Sequence, residues 1–274
     1  MKLKVLLFAV IIAFASCSQQ PNTIVESYLY IQNENRDKQD WQIIWEDHFD
    51  NNTLDTSKWS LIPPKGTDWA NTLTDDPRTY EFKNGNLHLK GIVNPDTTSD
   101  TRKFLTAGIY SKGKFAYQYG KIEIRAKLES AQGAWPAIWM LAEKNKYGKY
   151  PKNGEIDIME HLNYDDIIYQ TTHSYYTLEL KQKTNPQYYG TTKINIQEFN
   201  TFGLEWHADK LVFTLNGKET FEYPKVDSVD SSQWPYDQPF YIMIDQQLGG
   251  SWVGEINPAH LPVDMIIDYV KVYQ

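Results

Sequence analysis

From residue 85 onward, apolar and polar residues alternate in short runs separated by Gly, Pro and Asn. GNLHLKGIV (85–93), GKIEIRAKL (120–128), GEIDIME (154–160), TFGLEWHADKLVFTLNGKET (201–220) and DMIIDYVKVY (264–273) all repeat with a period of two. That period puts successive side chains on opposite faces of a strand, one toward a core and one toward water. HADK and LNGKE hold turn residues between two such runs and predict hairpins. No stretch sustains a 3.6-residue repeat. Many short strands with this punctuation predict an all-β sandwich or jelly roll, with no internal repeat and no second domain. The domain opens at WQIIWEDHFD (41–50) and runs to residue 274.

The first forty residues follow a different pattern. Lys2 and Lys4 precede the apolar run VLLFAVIIAFA, which is too short to span a bilayer comfortably. Cys17 is the only cysteine, and FASC before SQQPN resembles a bacterial lipoprotein processing box. Residues 1–16 are therefore expected to be a signal peptide and Cys17 the lipidated first residue of the mature chain. An ordinary secretory signal with an incidental cysteine is the alternative. Residues 17–40, mostly polar, read as a tether between a lipid anchor in an outer membrane and the domain.

Composition narrows the partners. The chain has 27 basic and 35 acidic residues, a net charge of −8. Loss of Lys2 and Lys4 with the signal leaves 25 against 35, a balance of −10. Such a charge argues against nucleic acid and against membrane contact other than through the anchor; a neutral or weakly charged polymer fits better. The 9 Trp, 19 Tyr and 11 Phe exceed what a core of this size needs, and rings of this kind line surfaces that hold flat amphipathic ligands such as sugars.

NGEIDIMEHL (153–162) sets Glu155, Asp157 and Glu160 within six positions. On a helix, at about 100° per residue, these acids would scatter around the axis. On a strand Glu155 and Asp157 share a face, and a β-bulge around Met159 would return Glu160 to it. Like charges on one face destabilise a sheet, so the crowding needs a use. Acid–base work supplies one, because neighbouring carboxyls push their pKa values apart. Retaining glycosidases use such a pair, as nucleophile and as acid/base. A solvated acidic strand or a calcium-binding surface is the competing explanation.

Glu155-Ile-Asp157-Ile-Met-Glu160 is similar to the E-[ILV]-D-x-x-E signature of glycoside hydrolase family 16 in its bulged form. WQIIWEDHFD, YGKIEIRAKLESAQGAWPAIWML (119–141), FNTFGLEWHADKLVFTLNGK (199–218) and MIIDYVKVY (265–273) resemble the family's other strands in its order. The resemblance implies a jelly roll of two curved antiparallel sheets with a concave substrate cleft, and endo-acting hydrolysis with retention. It makes Glu155 the nucleophile, Asp157 the helper and Glu160 the general acid/base. Trp135 and Trp139 match cleft tryptophans, with Trp135 the better candidate for substrate and one of the two expected in the core. His173 matches a histidine facing the carboxylates, and Trp252 a loop residue near the cleft. The resemblance further implies a structural calcium on the convex side, held by Asp268 with the Gly85 carbonyl, and no cofactor for catalysis.

Two departures bear on the substrate. TDWANTLTDDPRTYEF (67–82) lacks the Asn-Glu pair of the β-1,3-glucanase (laminarinase) branch, and LGGSWVG (248–254) lacks its Pro. HSYYT (173–177) and IDQQLGG (244–250) resemble a lipoprotein branch from Bacteroidetes that includes endo-β-galactosidases. The expected activity is thus an endo-β-1,4-galactosidase on mucin-type O-glycans or poly-N-acetyllactosamine. A β-1,3- or β-1,3-1,4-glucanase is the alternative, and a non-catalytic glycan-binding jelly roll the rival from another class.

Overall fold

A computed structural model describes residues 40–274. The expected signal peptide, Cys17 and all of the expected tether but its last residue lie outside the described residues. Among those described, no helix is long and apolar enough to cross a membrane.

Two antiparallel sheets face each other. The first runs β14 (Lys218–Pro224), β13 (Lys210–Leu215), β12 (Asn200–Trp206), β7 (Gly120–Leu128), β16 (Val263–Tyr273), β4 (Asn86–Val93) and β3 (Tyr80–Lys83). The short β1 (Ile43–Asp47) also pairs with β16, and β5 (Phe104–Leu105) with β4. The second runs β11 (Tyr189–Lys193), β10 (Ile167–His173), β9 (Glu155–Glu160), β8 (Ala134–Ala142), β15 (Phe240–Leu248), β6 (Gly108–Tyr110) and β2 (Ser60–Leu61). One α-helix, the four-residue α1 (Tyr175–Leu178), occurs among the described residues.

The alternating runs become strands where the pattern sets them. In β7 every second residue, from Gly120 to Leu128, is buried, and the residues between are half exposed. The HADK turn joins β12 to β13, and Asn216-Gly217 joins β13 to β14 with φ of 52° and 75°, left-handed values that Asn and Gly tolerate. Between the sheets lie Trp206, Phe202, Phe213, Tyr223, Tyr236 and Phe240, all almost wholly buried. Burying each large ring contributes a few kcal/mol, about 25 cal/mol per Å².

The two central strands of the second sheet break the alternation, and the reason places the site. All nine residues of β15 are buried. Phe240, Ile242 and Ile244 face the main core, Leu248 joins a third small cluster, and Tyr241 and Met243 join Ala137 and Trp139 of β8 in a smaller apolar cluster on the opposite face. Ile62, Ala70 and Leu73 cover that cluster from a segment folded over the sheet. A strand covered on both faces reads as continuously apolar.

Candidate active site

The outer face of the second sheet forms a cleft of about 900 Å³. Its residues come from β8, β9, β10, β11 and β15, from the segment around Trp69, and from the loop that carries Trp252. Four of the nine tryptophans, Trp69, Trp135, Trp139 and Trp252, line it.

Strand β9 carries the three acids. Asp157 is opposite Trp139, Met159 opposite Ile138 and Glu160 opposite Ala137, so Ile158 is an extra residue in the ladder with β8. The register with β10 shifts at the same place. Ile158 and Met159 both enter the main core, and Glu160 emerges on the face of Glu155 and Asp157. The bulge expected from the sequence is present, and it does the re-aiming.

The surroundings set the charge of each acid. Burial pushes Glu155 up to about 7, while hydrogen bonds from the Tyr150 hydroxyl and Asp157 pull it back. Burial, then the charges of Glu155 and Glu160, hold Asp157 well above the usual carboxylate range. Asp157 therefore keeps its proton and shares it with Glu155. Glu160 rises to about 8, chiefly by burial and further by Glu155 and Asp245, although Trp135 Nε1 donates to its Oε1 at 3.0 Å. His173 pairs with Glu155 across the ladder. Its Nε2 lies 3.6 Å from Asp157 Oδ2 and 3.9 Å from Glu155 Oε1. Burial, then the nearby Lys183, lowers its pKa to about 4, so it is neutral at pH 7 and faces the acids as a polar contact.

A protonated buried acid has a stability consequence. With its folded pKa raised, Asp157 keeps a proton that the unfolded chain has lost, so stability falls as pH rises above the ordinary carboxylate range. Asp157→Asn keeps the shape and a donor toward Glu155 without that cost. The variant is expected to unfold about 1–3 kcal/mol less readily than the parent at pH 8, with the gain shrinking toward pH 4. Thermal unfolding at the two pH values measures this, and an equal difference at both would contradict the assignment.

The other residues singled out in the sequence divide. Trp135 is half exposed and meets Trp252 edge to face at 5.5 Å; Trp252, itself 45% exposed, also meets Tyr169 at 5.2 Å. These rings form an open aromatic wall beside Glu160. Trp139 is only 6% exposed, donates from Nε1 to Asp245 Oδ2 at 2.9 Å and packs edge-on against Trp69. It belongs to the cleft floor.

Asp268 does not join the site. It lies on the other sheet at a register shift between β16 and β7, and its carboxylate accepts from Arg125, whose guanidinium stacks on Phe199. Gly85 has Asp50 as its close side-chain neighbour. Among the described residues Asp268 belongs to no cluster of three or more candidate metal ligands, so nothing here supports the structural calcium expected there.

Several cleft residues were not picked out from the sequence. Tyr150 comes from the connection between β8 and β9, and Trp69 from a short 3-10 turn, Asp68–Ala70. Asp245 is fully buried, bonded by Trp139 and by Gln247 Nε2 at 2.7 Å, and raised to about 7 mainly by burial. A charged residue inside the apolar run YIMIDQQL was the available signal.

The chain matches the glycosyl hydrolases family 16 over residues 68–271. It is 34% identical over 237 residues to a keratan-sulfate endo-1,4-beta-galactosidase from Sphingobacterium multivorum, covering 86% of this chain and 56% of that protein. A beta-glucanase from Rhodothermus marinus is 30% identical, with 85% of each chain covered. The crystal structure of the Rhodothermus marinus laminarinase superposes with a TM-score of 0.78 at 29% identity, covering 85% of this chain and 97% of that one.

Proposed function

The chain belongs to the glycosyl hydrolases of family 16, and on that premise we propose that it is a retaining endo-β-glycosidase working through Glu155, Asp157 and Glu160. The observation that carries this reading is the bulge at Ile158–Met159, which aims Glu160 into the same cleft as the other two acids. A protein that only held glycan would have aromatic walls but no use for three crowded carboxyls.

Glu155, the acid with the lower pKa of the outer pair, attacks the anomeric carbon as carboxylate. Glu160, held protonated, donates its proton to the departing glycosidic oxygen as that carbon–oxygen bond breaks. A covalent glycosyl ester on Glu155 results. Glu160, now ionised, takes a proton from water, and the water oxygen attacks the same carbon and frees Glu155. Asp157 donates its shared proton to Glu155, which steadies the carboxylate before attack and as it leaves. Trp135 occupies Glu160 Oε1, so Oε2 is the oxygen that meets the substrate. Neutral His173 packs against Glu155 and Asp157 without adding a cation.

For substrate, the reading favours internal β-1,4-galactosidic bonds of the keratan or poly-N-acetyllactosamine type, including mucin-type O-glycans. Similarity to the keratan-sulfate galactosidase across most of the chain supports it, as does the missing Asn-Glu pair before Tyr80. A β-1,3-glucanase is the second reading, supported by superposition on nearly the whole laminarinase chain. Reducing-end release from keratan-type glycans, mucin glycans, laminarin and lichenan separates them. Oligosaccharides are expected from the galactans with little from laminarin, and the reverse pattern would install the glucanase reading.

A further inference from the structure

Asp245 is fully buried under the cleft floor, and no step of the hydrolysis uses it. Ala137 of β8 lies opposite both Asp245 and Glu160. The three form one row across the sheet, with the Cα atoms of the two acids about 10 Å apart. Both Asp245 oxygens accept: Oδ2 from Trp139 Nε1 at 2.9 Å, and Oδ1 from Gln247 Nε2 at 2.7 Å. Burial raises its pKa, and these two N–H groups pull it back toward the charged form.

Gln247 stands two residues further along β15, on the same face, opposite Trp135. It lines the cleft, yet it is only 2% exposed and its Oε1 has no hydrogen-bond partner among the described residues. Two other cleft residues hold such an atom, Asp157 and His173, and both belong to the catalytic cluster. Gln246 also has an unpartnered Oε1, but it does not line the cleft. A carboxylate only accepts, so Asp245 engages the amide through Nε2 and leaves Oε1 as its free end. A buried acceptor without a partner costs stability that an apolar side chain of the same size would not. A hydroxyl of a bound sugar supplies the missing donor. Trp135, across the ladder from Gln247, donates to Glu160 Oε1, so a sugar held here sits beside the bond to be cleaved.

We infer that Gln247 is a specificity residue whose Oε1 accepts a hydrogen bond from a hydroxyl of a sugar flanking the cleaved bond, with Asp245 as the positioning residue that fixes the amide. The inference rests on the endo-glycosidase reading and adds a contact that selects among its substrates. A sugar that lacks this hydroxyl, or presents it on the other side of its ring, leaves Oε1 unpaired. A loss of that kind discriminates more sharply than a missing methylene does.

The test uses the full chain with oligosaccharides of poly-N-acetyllactosamine and of laminarin, each lacking one hydroxyl on a sugar that flanks the cleaved bond. At one position, removal is expected to lower wild-type kcat/KM by about tenfold or more. That penalty should fall toward one in Gln247→Met, which keeps the length of the side chain and loses the acceptor. It should fall likewise in Asp245→Asn, because the amide introduced there donates to Oε1 and turns it away from the sugar. The double variant should lose no more than either single one. Penalties that Gln247→Met leaves unchanged at every hydroxyl overturn the contact, while cleavage itself upholds the hydrolase reading. A penalty lost in Gln247→Met but kept in Asp245→Asn overturns the positioning role. Calorimetric titration of the same set into Glu155→Gln separates the opposite case. A hydroxyl penalty in binding that Gln247→Met removes, without turnover by the wild type, would uphold Gln247 and overturn the hydrolase. Absence of any such penalty in both measurements overturns Gln247.

Discussion

Glu155→Ala is expected to lose turnover by a factor of about 10⁴ or more, on any β-glycoside the enzyme accepts. No other group in the cleft replaces a nucleophile in line with the breaking bond, because Asp157 is protonated and Glu160 serves the opposite partner of that bond. Removing the side chain leaves space on the far side of the anomeric carbon. Azide added with an activated aryl glycoside can enter there and attack directly, so part of the lost rate returns. The product is then a glycosyl azide of inverted, α configuration, formed in one displacement. The anomeric proton coupling in the NMR spectrum reads the outcome. A β-azide, or a variant with near-normal turnover, would remove Glu155 from its role.

Glu160→Ala separates the two steps instead. A natural sugar leaving group needs the proton, so turnover on polysaccharide should fall about 10²- to 10⁴-fold. An aryl leaving group needs little help, so the glycosyl ester on Glu155 forms and then accumulates for want of a base. Azide resolves that ester from the face water would have used, and the product keeps the β configuration. The pH profile gives an independent reading. In the parent, kcat/KM should form a bell whose acid side follows protonation of Glu155 and whose alkaline side follows proton loss from Glu160. Both sides lie above the ordinary carboxylate range because both acids are buried. The two apparent pKa values belong to the coupled group of acids together. With the aryl substrate the alkaline side should vanish in Glu160→Ala, and its persistence would assign that side to another residue.

Much of this architecture was legible in the sequence. Runs such as 120–128 and 264–273 became β7 and nearly the whole of β16, because each buries one face and wets the other. Glu155, Asp157 and Glu160 were legible as a cluster because three like charges in six positions conflict with a merely structural strand, and parity alone called for the bulge. What could not be read were contacts between residues far apart in the chain. Trp139 is held in the cleft floor by Asp245, more than a hundred positions later, which takes its indole N–H. The ion pair of Asp268 with Arg125, 143 positions earlier, was equally out of reach. Trp69 and Lys65 sit in a segment without periodicity, and only its folding over β8 and β15 brings them to the cleft. Alternation reports which face a side chain takes on its own strand, and is silent about what arrives to cover that face.

The doubled inward step at Ile158 and Met159 has a consequence for how such chains can diverge. Delete Ile158 and Glu-Ile-Asp-Met-Glu remains, an uninterrupted alternation that still turns all three acids outward while one core side chain disappears. A single lost codon therefore exchanges one spacing for the other without inverting the catalytic face, provided neighbouring side chains fill the void. An insertion at the same point has no such exit: parity would keep the last glutamate on the acidic face, but about 7 Å further along the strand from Asp157 than the bulge now holds it. Length variation at this position is accordingly tolerated in one direction only.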